Sequence, residues 1–230
     1  MRAPLMIAVA QPVTVAHDVA GNAGRHADAV RAANARVVVF PELSLTGYEL
    51  AADSIAPDDP SLAPIVDSCA ATGSLALVGA PIDGPHIAFL AVDGAGVTVA
   101  YRKLWLGDEE ARRFVPGPAP VAIEVDSWRL GLGICKDTGV AQHAKDTAAL
   151  GIDAYVAGVV KHDHEADVLE ERAARIAAEH GVWVAIASCA GPTGGGFDRT
   201  AGGSSIRTPA GVVVARAGIE PGDLVTGALS

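Results

Sequence analysis

The chain has 230 residues, of which 50% are hydrophobic and 19% charged, which fits a single domain with a buried core and excludes a disordered or coiled-coil chain. Its formal net charge of −10 makes nucleic acid an unfavourable partner, because phosphate backbones are also negative. No apolar run is long enough to span a membrane and the three cysteines form no even-numbered disulfide framework, so we expect one cytoplasmic domain over residues 1–230, with reduced thiols and no membrane contact.

The hydrophobic pattern alternates along the chain between predicted strands and predicted helices. Short apolar or alternating runs predict strands over 5–10, 36–40, 75–79, 87–92, 96–101, 121–125, 129–134, 154–160, 182–187, 204–207, 212–216 and 224–228. Apolar residues at helical spacing predict helices over 17–34, 60–71, 139–150 and 165–180. This order predicts an α/β fold with more strand than a simple doubly wound sheet needs.

Three chemically different side chains directly follow predicted buried strands. Glu42 follows the strand over 36–40, Lys103 follows the strand over 96–101, and Cys135 follows the strand over 129–134. Ligand sites of open α/β folds lie at the carboxyl ends of strands. A thiol, a carboxylate and an ammonium are sufficient for acyl transfer, as nucleophile, proton carrier and stabiliser of the developing oxyanion.

Each of these three residues also has an ordinary structural explanation. A buried thiol, a helix cap and a solvated cation are all common in folded proteins. The hypothesis of a catalytic site therefore depends on the combination of Glu42, Lys103 and Cys135, and on the sequence around each of them.

The local sequence resembles the carbon–nitrogen hydrolases, also called the nitrilase superfamily. The resemblance rests on Phe40-Pro-Glu-Leu-Ser-Leu-Thr-Gly-Tyr48, Tyr101-Arg-Lys103 and Gly133-Ile-Cys-Lys-Asp137, which occur in the family's order. It extends from Ile7 to Gly211. It implies a four-layer α–β–β–α sandwich in which two mixed sheets are flanked by helices. It also implies a homodimer or larger homo-oligomer, and no cofactor.

Carried over position by position, the resemblance makes Cys135 the nucleophile, Glu42 the general base and Lys103 the group that stabilises the tetrahedral intermediate. The segment Glu110-Ala-Arg-Arg-Phe114-Val-Pro-Gly117 matches a family pattern that contains a second glutamate. Glu110 is therefore expected to be a fourth catalytic residue, and the adjacent Glu109 an ordinary surface charge.

Three further residues are expected to bind the substrate. The backbone N–H of Lys136, directly after the cysteine, is expected to donate to the oxyanion, and Tyr48 and His162 are expected to contact the substrate. The resemblance implies hydrolysis of a small linear amide to an acid and ammonia through a cysteine thioester. Departures from the family pattern at Lys136-Asp-Thr-Gly-Val140 and Lys161-His-Asp-His164 leave nitrile and N-carbamoyl substrates open as alternatives.

Two alternatives belong to other functional classes. His162 and His164 point the same way in an extended segment, which would suit a metal-dependent hydrolase, but only two ligands are close together and we predict no metal site. A helix cap is the favoured explanation of that segment. A non-catalytic scaffold is disfavoured by the presence of all three reactive side chains. The Gly191-Pro-Thr-Gly-Gly-Gly196 segment lacks the Lys-Ser/Thr of a phosphate-binding loop, and we expect a surface loop near the active-site mouth.

Overall fold

The computed structural model describes residues 2–230 and follows the predicted order of elements. Its strands are β1 (Leu5–Ala10), β2 (Val37–Val39), β3 (Leu75–Ile82), β4 (His86–Asp93), β5 (Gly96–Arg102), β6 (Ala122–Val125), β7 (Trp128–Ile134), β8 (Ala154–Val159), β9 (Trp183–Ser188), β10 (Ser205–Arg207), β11 (Val213–Arg216) and β12 (Leu224–Leu229). Its α-helices are α1 (Val19–Ala33), α2 (Ala63–Thr72), α3 (Lys136–Gly139), α4 (Ala141–Ala148) and α5 (Ala166–His180). Short 3₁₀ helices cover Pro60–Leu62, Glu110–Arg112 and Asp163–Glu165. Within residues 2–230, none of the helices has the length and apolar sequence that a bilayer crossing requires.

The strands form two six-stranded mixed sheets. The first has the order β12-β1-β2-β3-β4-β5, and the second has the order β11-β10-β9-β8-β7-β6. Strands β1, β2 and β3 run parallel in the first sheet, and β7, β8 and β9 run parallel in the second. All other neighbouring strands are antiparallel.

The apolar strands are buried on both faces, which explains their continuous hydrophobic runs. In β2, Val37 and Val39 belong to the core shared by the two sheets, whereas Val38 belongs to the core under α1 and α2. On the other side of the molecule, α4 contacts β7, and α5 contacts β9 and β10. The predicted four-layer α–β–β–α sandwich is confirmed.

One predicted helix is divided in the structure. Instead of a single helix over 139–150, a short helix α3 begins at Lys136, and the extended backbone of Val140 separates it from α4. The carboxylate of Asp137 accepts a hydrogen bond from the backbone N–H of Ile134 at 2.9 Å, so helical structure begins directly after Cys135. Further along, the Glu165 carboxylate accepts from the His162 N–H at 3.1 Å, which confirms the predicted helix cap.

Candidate active site

Glu42 lies in a tight turn at the carboxyl end of β2 and is fully buried. The next residue, Leu43, has φ 50°, in the left-handed region that side chains other than glycine rarely adopt. A Cβ atom on Gly79 of β3 would lie 2.3 Å from the carbonyl oxygen of Pro41, so only glycine lets β3 approach this turn. The surrounding backbone therefore holds Glu42 in one place.

Lys103 follows β5 and is 1% exposed. Its ammonium donates to Glu42 Oε1 at 2.6 Å, and to Oε1 and Oε2 of Glu110 at 2.7 and 2.8 Å. Burial alone lowers the pKa of Lys103, but the negative charges of Glu42 and Glu110 outweigh burial and hold this pKa above its ordinary value. The side chain is a fixed, permanently charged cation.

Glu110 begins a short 3₁₀ helix and is 2% exposed. Besides the two contacts with Lys103, its carboxylate accepts from Tyr48 Oη at 2.6 Å and from the Gly107 N–H at 2.7 Å. Burial raises the pKa of Glu110, but Lys103 and these donors lower this pKa by more than burial raises it. The net shift is downward, so the carboxylate is ionised. By contrast, the Glu109 side chain is 66% exposed and pairs with the exposed Arg112. Of the two glutamates, Glu110 is the one that faces the lysine.

Cys135 lies directly after β7, between the strand and α3, in a strained backbone conformation with φ 42° and ψ −94°. Its N–H donates to the Gly158 carbonyl at 3.0 Å, and its thiol donates to the Val160 carbonyl at 3.3 Å. Lys136 directly after it starts α3, and the first N–H groups of a helix have no acceptor within the helix. Burial, together with the nearby Glu42 charge, raises the pKa of the Cys135 thiol to about 12. The resting thiol is therefore neutral and needs a base.

Glu42 has the properties of such a base. Its second oxygen, Oε2, is buried and has no hydrogen-bond partner among residues 2–230. Burial raises the pKa of Glu42 to about 7, against the opposing effect of the Lys103 ammonium. A carboxyl group with a pKa near neutrality and an open oxygen can accept a proton and return it within one reaction cycle.

A glycine allows the two sheets to meet at this point. A Cβ on Gly158 of β8 would lie 2.4 Å from the Phe40 carbonyl oxygen at the end of β2. This close approach brings the carboxyl end of the first sheet's parallel strands against that of the second, and thereby brings Glu42 towards Cys135. Gly133 of β7 has a different role: a Cβ there would lie 2.2 Å from Oη of Tyr155 on the neighbouring strand β8, so this glycine leaves room for the tyrosine within the second sheet.

A buried polar network that the sequence analysis missed supports the cysteine turn. The Asp137 carboxylate accepts from Tyr101 Oη at 2.7 Å and from the Trp105 N–H at 2.8 Å. His143 lies 2.9 Å from the hydroxyls of both Tyr101 and Tyr155, and burial lowers its pKa, so its ring is neutral. Tyr101 and Asp137 each lie two residues from a reactive side chain, in the motifs Tyr101-Arg-Lys103 and Gly133-Ile-Cys-Lys-Asp137. This closeness in the sequence was the signal that could have identified them.

A cavity of about 300 Å³ lies over the thiol. Five of the residues selected from the sequence line it: Cys135, Lys103, Glu110, Tyr48 and Lys136. A wider outer cavity of about 890 Å³ shares part of this wall and includes Gly195 of the glycine-rich loop. The expected loop therefore does lie near the mouth of the cavity.

The same cavity is lined by six residues that the sequence analysis did not select: Gly107, Val160, Lys161, Glu165, Arg172 and Phe197. Lys161 lies two residues after the end of β8, which is the parallel neighbour of β7. This position at the carboxyl end of a strand was the signal that could have identified Lys161.

His162 lies beside this wall, where its ring stacks on Phe197 with centroids 4.2 Å apart. Its other neighbour is the ring of His164, at 5.2 Å. Among residues 2–230 there is no group of three or more His, Cys, Asp or Glu side chains that could hold a metal ion. No observation in this segment therefore supports the metal-dependent alternative.

Comparison with known proteins identifies the family of the chain. The family model described as carbon-nitrogen hydrolase matches residues 6–230. The chain belongs to the carbon–nitrogen hydrolase family. A protein named as the hydrolase in the pqqF 5' region of Pseudomonas protegens is 32% identical to this carbon–nitrogen hydrolase over 219 residues, which cover 88% of this chain and 75% of that protein.

Solved structures place this carbon–nitrogen hydrolase in the nitrilase superfamily. An amidase from Nesterenkonia sp. AN1, solved in complex with butyramide, has a TM-score of 0.88 and 26% identity, with 98% of this chain and 90% of that chain covered. A protein of the same superfamily from Xanthomonas campestris, with an arsenic adduct in its active site, has a TM-score of 0.90 at 20% identity, with 99% and 91% covered. The second comparison supports the fold alone.

Proposed function

We propose that this carbon–nitrogen hydrolase converts small linear amides to carboxylic acids and ammonia through a thioester on Cys135. The observation that carries the proposal is the arrangement around the ammonium of Lys103, which holds one oxygen of Glu42 at 2.6 Å and leaves the other without a partner beside the thiol. The base is thus oriented by the same cation that stabilises negative charge on the substrate.

In the first half of the reaction, the Cys135 sulfur bonds to the amide carbon while its proton passes to Glu42 Oε2. The carbonyl oxygen becomes an oxyanion, which Lys103 and the Lys136 N–H stabilise. The C–N bond then breaks, and the proton held by Glu42 passes to the nitrogen, so that ammonia leaves and a thioester remains.

In the second half, water replaces the nitrogen. Glu42 accepts a proton from the water as the oxygen bonds to the thioester carbon, and the resulting oxyanion occupies the same position as before. The C–S bond breaks, and the proton returns to the Cys135 sulfur. One water is consumed for each amide, and no oxidant or reductant is needed.

Relatives support an amide substrate. The Nesterenkonia amidase is 26% identical in its complex with butyramide, which is a small linear amide. Amide, nitrile and N-carbamoyl compounds all present an electrophilic carbon bonded to nitrogen, so a panel of the three classes assayed for ammonia release identifies the preferred one.

The covalent step is tested by mass spectrometry of the Glu42→Gln variant mixed with the best substrate. We expect an acyl adduct on Cys135, and no turnover by the Cys135→Ala variant. Cys69→Ala is the matched control, because Cys69 is a buried thiol of α2, in the core of the opposite helical layer, and its removal should leave turnover unchanged. An adduct on Cys69 or Cys189, or normal turnover by Cys135→Ala, contradicts the proposal.

A further inference from the structure

The cavity over Cys135 has a basic wall in an acidic protein. The chain carries a formal net charge of −10. The charged side chains that line this cavity are the cations Lys103, Lys136, Lys161 and Arg172 and the anions Glu110 and Glu165. An excess of positive charge in a partly enclosed cavity attracts anions, because its field is screened less than at an open surface.

Most of these cations have partners within the protein. Lys103 is held by two carboxylates, as described above, and Lys161 Nζ pairs with Glu165 at 2.9 Å. Lys136 Nζ donates to the Leu106 carbonyl at 2.6 Å, on the outer side of the cavity. Each of these three groups therefore already has an acceptor within the protein.

Arg172 differs from the other cations of this wall. Its Nη1 is buried and has no hydrogen-bond partner among residues 2–230. The guanidinium lies against Gly139, the last residue of α3, where a Cβ would be 2.6 Å from the guanidinium carbon. A buried donor without an acceptor is unfavourable, and a ligand that supplies an acceptor removes that cost.

We infer that Arg172 binds a carboxylate at the end of the acyl chain opposite the amide, so that the preferred substrate is the monoamide of a short dicarboxylic acid. A guanidinium matches a carboxylate in planar, paired geometry, and Arg172 lines the same cavity as Cys135. The volume of about 300 Å³ is at the lower end for small-molecule sites and fits an acyl chain of a few carbons. This inference rests on the proposed amidase function.

Matched substrates give the test. Succinamate differs from butyramide, and glutaramate from valeramide, by a carboxylate in place of a terminal methyl group. We expect the wild-type kcat/KM of at least one carboxylated amide to exceed that of its neutral partner by about ten- to a hundredfold, the range for hydrogen bonds to charged groups. Arg172→Gln should remove this preference by raising KM for the carboxylated amide at least tenfold more than KM for its neutral partner, and Arg172→Lys should retain part of the preference.

Arg199→Gln is the control for a general change in charge. Arg199 is 83% exposed and pairs with Asp163 near the same segment, so its loss should leave the substrate preference unchanged. Equal loss of activity toward both members of a pair in Arg172→Gln would indicate a structural role and overturn the inference.

A binding measurement separates this inference from the proposed reaction. Calorimetric titration of the Cys135→Ala variant with succinamate and glutaramate should show binding that Arg172→Gln weakens at least tenfold. If wild-type enzyme hydrolyses butyramide as well as succinamate and Arg172→Gln changes nothing, the carboxylate subsite is wrong while the amidase function stands. If no amide is hydrolysed but the anions still bind through Arg172, the proposed function is wrong and the subsite stands.

Discussion

Replacing Glu110 by glutamine removes one negative charge from the site while keeping the shape of the side chain. The Glu110 carboxylate is surrounded by donors alone: the Lys103 ammonium, Tyr48 Oη and the Gly107 N–H. An amide group carries two N–H donors on one side, so in either orientation it directs them at a neighbour that also donates. The lysine would lose one of the two contacts that hold it from this side, together with the negative charge of the carboxylate.

The size of the effect follows from these contacts. Losing an oxyanion donor costs about a hundred- to a thousandfold in kcat, and losing a group that supports one costs about ten- to a hundredfold. We therefore expect kcat to fall about a hundredfold, or about 2.7 kcal/mol. The fold should survive, because Lys103 keeps its contact with Glu42 at 2.6 Å and is not left without a counter-charge. A fall in Tm of several degrees is expected from one lost charge-assisted hydrogen bond.

The assay is steady-state kinetics with thermal melts on Glu110→Gln and Glu109→Gln. The second variant is the matched control, since the Glu109 side chain is 66% exposed and its pair with Arg112 contributes little. Equal activity of the two variants would refute the reasoning, and so would a larger loss in Glu109→Gln.

Three other predictions follow from the geometry. Burial raises the pKa of Glu42 to about 7, and the base must be deprotonated, so kcat/KM should fall about tenfold per unit as the pH drops below about 7; a flat profile down to pH 5 would exclude Glu42 as the base. Gly158→Ala should lower stability by about 1–3 kcal/mol and reduce activity, because the new Cβ would meet the Phe40 carbonyl. The control is Gly24→Ala in α1, where a Cβ has nothing within 4 Å and should raise Tm slightly. A lower Tm for Gly24→Ala than for Gly158→Ala would contradict this packing. Prolonged chelation followed by metal analysis should leave activity intact, and a loss restored by zinc would return the function to His162 and His164.

The positions of the reactive residues could be predicted because each follows a strand with a strong apolar signal. A continuous apolar run that ends at proline, Val37-Val-Val-Phe-Pro41, is typical of a strand buried on both faces. Glu42 was therefore expected at the carboxyl end of that strand. Adjacent side chains in a turn point in different directions, so only one of Glu109 and Glu110 could face the lysine, and the family pattern Glu110-Ala-Arg-Arg-Phe114 selected Glu110.

Arg172 could not be found in this way. In the sequence it is one of several arginines and glutamates on an amphipathic helix, and Arg175, one turn later on α5, has the same local pattern. Arg175 pairs with Glu171 and Glu179, whereas Arg172 reaches the cavity because α5 crosses α3 at Gly139. Which of the two arginines reaches the cavity depends on how α3 and α5 pack against each other. The spacing of hydrophobic residues predicts a helix, but it does not predict helix packing at that precision.

The neutral state of the Cys135 thiol determines how fast it reacts with oxidants and alkylating reagents. Such reagents attack thiolates, and burial raises the pKa of this thiol to about 12, with only 9% of the residue exposed. The resting thiol should therefore react slowly with peroxide. It becomes a nucleophile only toward a molecule seated in the cavity, where its proton can leave to Glu42. A selective covalent inhibitor of this enzyme should therefore carry a weak electrophile on a molecule that fits the cavity, because a strongly reactive electrophile would modify other thiols first.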